Sequence, residues 1–267
     1  MADEIFRDRR LAELYDPLDP DRGDLDAYLL LAEEFGARSV LDIGCGTGVF
    51  ALLLAERGVE VVGVDPAGAS LDVARAKPGA DRVRWIHGDA TALPPLQTDL
   101  VTMTANVAQA IVDPELWHRT LTGAYEALRP GGRLVFETRD PARRAWEGWN
   151  REDSYGVTEV PGIGTVESWV ELTEVTGQLV TFRWHCAFDG DGDGDGDGDG
   201  NGTRGSGNGT GAGTGGALTS DSTLRFRERH DIEADLAAHG YVLEDVRDAP
   251  DRPGRELVFV ARRPPAV

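Results

Sequence analysis

Between Leu41 and Gly48 the chain reads Leu-Asp-Ile-Gly-Cys-Gly-Thr-Gly, with a glycine at every second position from Gly44 onward. Glycine tolerates positive φ and carries no Cβ, so such a backbone turns sharply and lets a ligand approach closely. The apolar run that ends at Ile43 reads as a strand, and a helical run begins near Val49. A strand, a glycine turn and a helix start leave free N–H groups and a positive dipole end facing the turn, which suits a carboxylate or phosphate. Asp42, just before the turn, is placed to accept from an ammonium group. Asp65 closes the apolar run Val59 to Val64, where a carboxylate can accept from both hydroxyls of a ribose and would repel a 2′-phosphate. Asp89, in His87-Gly88-Asp89-Ala90, can accept from an exocyclic amine while the Ala90 amide donates to a ring nitrogen. The candidate cofactor site is therefore Asp42, Gly44, Cys45, Gly46, Thr47, Gly48, Asp65, Asp89 and Ala90. Its chemistry suits a ligand with an amine, a diol and an adenine, and with no phosphate. The glycine spacing is G-x-G-x-G, not the G-x-G-x-x-G of a dinucleotide turn.

These residues need a scaffold that brings several strand ends together. The first half of the chain alternates short apolar runs with helical ones. Strands are expected at Ser39 to Ile43, Val59 to Val64, Val83 to Ile86, Leu100 to Thr104 and Arg133 to Phe136. Helices are expected at Leu25 to Phe35, Val49 to Glu56, Ala69 to Ala76 and from Asp113-Pro114 onward, where aspartate caps and proline takes the first helical position. Such alternation implies an α/β fold with a doubly wound, mostly parallel, Rossmann-like sheet covered by helices on both faces. After Pro141 the period changes to two. Val166 to Leu172, Val180 to Phe188 and Leu218 to Phe226 read as an antiparallel meander, with Thr176-Gly177 as a turn. The chain returns to α/β with a helix at Asp231 to Ala238 and strands at Tyr241 to Val246 and Glu256 to Ala261. This places residues 1–140 and 228–267 in a core domain and 141–227 in an inserted antiparallel cap.

At its motifs the chain resembles the class I S-adenosylmethionine-dependent methyltransferases. VLDIGCGTG is similar to the family's first motif, and VVGVDPAGASLDVARAK to its acidic second motif. HGDATALP is similar to the adenine-binding segment and LRPGGRLVFET to the fifth-strand motif. The close resemblance covers roughly Tyr15 to Thr138. Leu96-Gln97-Thr98 departs from it, because an aromatic residue commonly precedes Asp99 in the family. The resemblance implies S-adenosyl-L-methionine as cofactor and methyl transfer to an N, O or C atom by in-line displacement. Candidate acceptor-positioning residues are Asn106 and Gln109 after the fourth strand, Arg139 after the fifth, and Tyr15 as part of a lid. A guanidinium at Arg139 can clamp a carboxylate. Neither a catalytic base nor the acceptor is named by the sequence. An NAD-dependent oxidoreductase and a non-catalytic cofactor-binding scaffold share parts of this pattern. The glycine spacing and Asp89 speak against the first.

One segment stands apart. From Asp189 to Ala217 the chain alternates aspartate and glycine, then runs on in glycine, threonine, serine and asparagine. Nothing in it can bury apolar surface, so it is expected to be a disordered, flexible low-complexity loop at the tip of a hairpin. It lacks the twelfth-position glutamate of a calcium loop in every register, so no metal is assigned.

The formal net charge of −20 disfavours nucleic acid and anionic membranes as partners and leaves a small-molecule acceptor. Two cysteines make no disulfide framework, and the charged start MADEIFRDRR is no secretory signal, so a cytoplasmic monomer or homodimer is expected. Cys45 reads as a packing residue. His185 alternates with Trp184 and so points to the opposite face of its strand.

Overall fold

A computed structural model describes residues 3–188 and 216–265. In chain order the elements are α1 (Glu4–Arg7), α2 (Arg9–Leu18), α3 (Asp26–Glu34), β1 (Ser39–Ile43), α4 (Val49–Glu56), β2 (Glu60–Asp65), α5 (Gly68–Ala76), β3 (Val83–His87) and β4 (Thr98–Met103). There follow α6 (Val107–Ala110), α7 (Pro114–Ala127), β5 (Leu128–Arg139), α8 (Arg151–Ser154), β6 (Gly156–Val160), β7 (Gly164–Thr176), β8 (Leu179–Phe188), β9 (Ala217–Arg225), α9 (Arg229–Ala238), β10 (Val242–Asp248) and β11 (Glu256–Arg262).

Seven strands form one sheet in the order β10-β11-β5-β4-β1-β2-β3. The strands β1 to β5 run parallel, while β11 is antiparallel to both β5 and β10. Because β1 lies between β2 and β4, chain direction across the sheet reverses there, and a crevice opens at the carboxyl ends. The strands are apolar on both sides because both faces are covered. Leu41, Val101, Leu134 and Phe136 pack with Trp117 and Leu121 of α7 and Ile232 and Leu236 of α9. Their neighbours Val40, Leu100 and Val135 pack on the other face with Tyr28 of α3 and Phe50 and Leu54 of α4. Asp113 caps α7 as expected, its carboxylate accepting from the Leu116 amide.

The period-two region forms a second, antiparallel sheet in the order β6-β7-β8-β9. It has one strand more than the three expected, since β6 precedes the meander. β6 carries only Val160 fully buried, too little apolar pattern to announce itself. The glycine-aspartate segment, read as a disordered loop, lies outside the described residues up to 215; Ala217, assigned to it, opens β9 opposite Ala187. Two helices, α1 and α2, precede the first helix read from the sequence. Leu11 and Leu14 of α2 bury themselves with Val160, Val166 and Cys186 of the second sheet, in a core separate from those of the main sheet. The N-terminal segment thus packs on the second sheet and also on α5 of the main sheet's layer, where the Ser70 hydroxyl donates to the Phe6 carbonyl at 3.0 Å. No helix among the described residues is long and apolar enough to cross a membrane.

Candidate active site

A cavity of about 430 Å³ sits over the carboxyl ends of β1, β2 and β4, roofed by α1, α2 and strands of the second sheet. Its floor is the glycine turn, where each glycine has its own reason. Gly44, Gly46 and Gly48 all have positive φ, at 71°, 53° and 80°. A Cβ on Gly44 would lie 2.6 Å from the Val107 side chain, and one on Gly48 would lie 2.5 Å from the Trp85 ring. Those two are glycines for internal packing. A Cβ on Gly46 would meet no protein atom within 4 Å and would stand in the cavity instead. Gly46 is the position where a ligand can touch the backbone. A cofactor that lies on this turn fits the space left there.

The three acids line this cavity. Asp42 is buried, and the Thr102 hydroxyl donates to its carboxylate at 2.9 Å. Burial, with Asp65 nearby, pushes its pKa up to about 7. Asp65 receives the Gly46 amide at 2.8 Å and the Ala67 amide at 2.7 Å, one on each oxygen. Burial raises its pKa while those two amides oppose the rise. The same carboxylate thus shapes the turn and faces the cavity with its remaining lone pairs. Asp89 accepts from both the amide and the hydroxyl of Thr91 through one oxygen, which caps the short turn Ala90–Ala92. Its other oxygen has no donor among the described residues. Ala90 is buried beneath α7, and the contact is close enough that a Cβ on Gly123 would collide with the Ala90 carbonyl at 1.9 Å. Gly123 is therefore what lets α7 press the Asp89-Ala90 segment into place, a requirement with no sequence signal beyond a glycine in a helix. Burial drives the Cys45 thiol well above its ordinary pKa, so it stays neutral and is a packing group, not a nucleophile.

Thr47, expected among the cofactor contacts, lines the cavity, and its side chain also ties the turn to α2. Its hydroxyl donates to Asp16 at 2.6 Å, and its carbonyl accepts from Lys77 at 2.7 Å. Lys77, the chain's sole lysine, also pairs with Asp16 at 2.5 Å. This triad latches α2 onto the glycine turn. Tyr15, the preceding residue, lines the cavity and packs on Phe6 with ring centroids 5.6 Å apart. Arg22 lines the cavity as well, its guanidinium held by Asp24 at 3.2 Å. Neither Lys77 nor Arg22 stands out in the sequence, because only the fold brings them to the turn.

The far end of the cavity is bounded by the segment after β4 and the end of β5. Ala105 and Asn106 take left-handed φ values of 54° and 60°. Non-glycine residues there cost roughly 1 kcal/mol or more each, so neighbours must hold them. The Asn106 amide donates to Glu137 at 2.9 Å and its side chain to Glu256 at 3.3 Å. Arg227 adds bonds to the carbonyls of Ala108 and Ile111, at 2.9 and 2.6 Å. Asn106 and Arg139 reach the cavity wall; Gln109 does not. Gln109 is fully buried behind the wall and accepts from the Arg139 backbone and guanidinium at 3.2 and 3.3 Å. It was expected to project into the crevice, but the turn of α6 carries it under Arg139 instead. Burial beside Glu256 pushes Glu137 up to about 8, so at neutral pH it is chiefly a neutral acid. His185 points away from the cavity, stacked on Trp169 at 4.7 Å. Trp146 and Trp149 pack on Phe226, and Trp149 also on Phe182.

Residues 40–132 match a family model described as a methyltransferase domain. The cypemycin N-terminal methyltransferase of a Streptomyces species is 36% identical over 147 residues, 53% of this chain and 60% of that protein. The chain thus spans less than two thirds of the length of that relative. Among solved structures, Streptomyces venezuelae DesVI superimposes with a TM-score of 0.73 at 20% identity, over 96% of this chain and 98% of that one. The sugar N-methyltransferase KedS8 from Streptoalloteichus superimposes with a TM-score of 0.70 at 22% identity, over 94% and 92%. At these identities the structural likeness is one of fold, and it extends over the cap as well as the main sheet.

Proposed function

We infer that this chain, which belongs to the class I S-adenosylmethionine-dependent methyltransferases, transfers a methyl group from S-adenosylmethionine to an N, O or C atom of a small-molecule acceptor. One observation carries the reading: Asp42, Asp65 and Asp89 line a single roofed cavity over a glycine turn that leaves open space at Gly46. When bound, the cofactor supplies an electrophilic methyl group on a sulfonium centre. The protein's part is to bind, orient and exclude water.

Asp65 is placed for the ribose hydroxyls, and Asp89 with the Ala90 segment for the adenine. Asp42 is placed for the ammonium group. An ammonium beside it would favour the carboxylate over the neutral acid. Arg22, carried on the segment latched to the glycine turn, offers a cation for the methionine carboxylate. Phe6 and Tyr15 cover the cavity from one side, and Phe182 and Trp184 from the cap. A roof of that kind admits a small acceptor and turns away a folded macromolecule. A neutral amine acceptor needs no strong base, since the methylated ammonium can lose its proton to water after transfer; a hydroxyl or carbon acceptor would need its proton removed.

Isothermal titration with S-adenosylmethionine, S-adenosylhomocysteine and NAD tests the reading. The first two are expected to bind with one site per chain and NAD not to bind. NAD binding in preference to S-adenosylhomocysteine would overturn it.

A further inference from the structure

We propose that Arg139 binds an anionic group of the methyl acceptor, which makes the acceptor a small carboxylic acid with an apolar body. The proposal rests on the methyl-transfer reading of the cavity and adds the substrate class. Arg139 ends β5, opposite Glu256 of β11, and its side chain is 24% exposed while lining the cavity. It is aimed by its neighbours. The Gln109 carbonyl oxygen takes one terminal nitrogen at 3.3 Å, and the Trp149 ring lies 5.7 Å from the guanidinium carbon.

Its charge is poorly matched by the protein. Glu256 is the nearest carboxylate, 3.8 Å from Arg139, but it accepts from Arg252 at 2.8 Å and from Asn106 at 3.3 Å. Glu137 faces the same cluster, and its oxygen takes the Asn106 amide. Burial keeps Glu137 largely neutral near pH 7, so it adds little negative charge. Arg139 and Arg252 both face Glu256, and Arg252 has a second carboxylate in Asp251 at 3.4 Å. Arg252 holds Glu256 closely and Arg139 does not. The second terminal nitrogen of Arg139 has no protein acceptor among the described residues. A planar guanidinium with a free edge binds a carboxylate well.

The wall around Arg139 is largely apolar, with Ile111 and Leu116 from the main domain and Phe182, Trp184 and Leu224 from the cap, and with Asn106, Thr120 and Ser222 as neutral polar members. With Arg22 held by Asp24 and assigned to the methionine carboxylate, Arg139 is the cation left for the acceptor, and among such walls it fits a singly charged carboxylate with a ring or chain attached. A phosphate dianion would need more donors than the wall presents.

The test compares matched acids and amides on the full chain. Amino and hydroxy acids with aryl or alkyl bodies are offered with S-adenosylmethionine beside their carboxamides, and S-adenosylhomocysteine release is measured. Benzoate and benzamide, as non-reacting probes, are titrated against the protein saturated with S-adenosylhomocysteine. Wild type is expected to prefer acids by about ten- to a hundredfold in kcat/KM or affinity. Arg139→Gln should abolish that preference without moving S-adenosylhomocysteine affinity, and Arg139→Lys should keep part of it. Wild type that shows no acid preference in either format overturns the proposal, as does an Arg139→Gln protein that keeps it. A tenfold loss of S-adenosylhomocysteine affinity in Arg139→Gln also overturns it, by assigning the arginine to the cofactor. Failure of wild type to bind S-adenosylhomocysteine would instead sink the methyl-transfer reading, and probe titration of the unliganded protein still scores Arg139.

Discussion

Asp65 offers the most informative single substitution, because one carboxylate holds the turn and is also the proposed ribose contact. Its two oxygens each take a backbone amide, from Gly46 at 2.8 Å and Ala67 at 2.7 Å. Those bonds exist with or without cofactor, so Asp65→Ala loses them in both states and pays in stability. Hydrogen bonds to a charged partner are worth about 1.5–3 kcal/mol each. The desolvation that raises the pKa of Asp65 offsets part of that, so the low end applies, about 3 kcal/mol for the pair. At roughly 2–4 °C per kcal/mol for a chain of this size, the melting temperature should fall by about 6–12 °C. The bonds to the ribose hydroxyls exist only in the complex. Their loss should weaken S-adenosylhomocysteine binding by a further 3 kcal/mol or so, about a hundredfold. Asp65→Asn keeps one acceptor oxygen and should lie between wild type and Asp65→Ala on both scales. Thermal melts and isothermal titration on the three proteins separate the two effects. An Asp65→Ala protein that melts early yet binds S-adenosylhomocysteine as tightly as wild type would show that Asp65 only shapes the turn.

Asp42 and Glu137 predict opposite pH trends for binding and stability. With Asp42 at about 7, its ionised fraction rises from about one tenth at pH 6 to about nine tenths at pH 8, so S-adenosylhomocysteine affinity should rise about five- to tenfold over that range and be flat in Asp42→Asn. The unliganded protein behaves the other way: both acids sit above their ordinary 3.8 and 4.5, so the stability they contribute is complete below those values, falls as pH rises from there to about 7 for Asp42 and about 8 for Glu137, and is flat above. Melting temperatures should decline over that range, and Glu137→Gln should flatten the upper part. Gly46→Ala should cost only about 1–2 kcal/mol of stability, from its left-handed φ, yet block cofactor binding, whereas Gly48→Ala should unfold readily against Trp85; equal effects on binding and stability at both sites would count against the cradle. Replacing residues 190–215 by a four-residue turn should stabilise the chain by up to about 1.5 kcal/mol, since β8 and β9 already meet at Phe188 and Gly216; a large fall in melting temperature would mean that the segment carries structure.

The cofactor half of the site was legible in the chain itself. Its determinants are local: the alternating glycines at 44, 46 and 48, an acid at the end of each apolar run, and the strand-helix rhythm that makes those ends converge. Period and turn chemistry act over a few residues, so they can be read without knowing what lies across the fold. The acceptor half depends on contacts between residues far apart in sequence. Asn106 is held by Glu256, 150 positions on, and Arg139 is aimed by Gln109, 30 positions back, from behind the wall. Sequence put Gln109 on the wall because a short helix after β4 gave no sign of which way its side chains turn. Lys77 and Asp16, 61 positions apart, meet only because α2 buries Leu11 and Leu14 against the cap sheet. Burial decided the protonation of Asp42 and Glu137, and burial is a property of the packed sheet, not of either residue. Local backbone preference therefore determined the glycine turn and the three acids around it, while long-range packing alone decided what roofs that cavity and which charges face it.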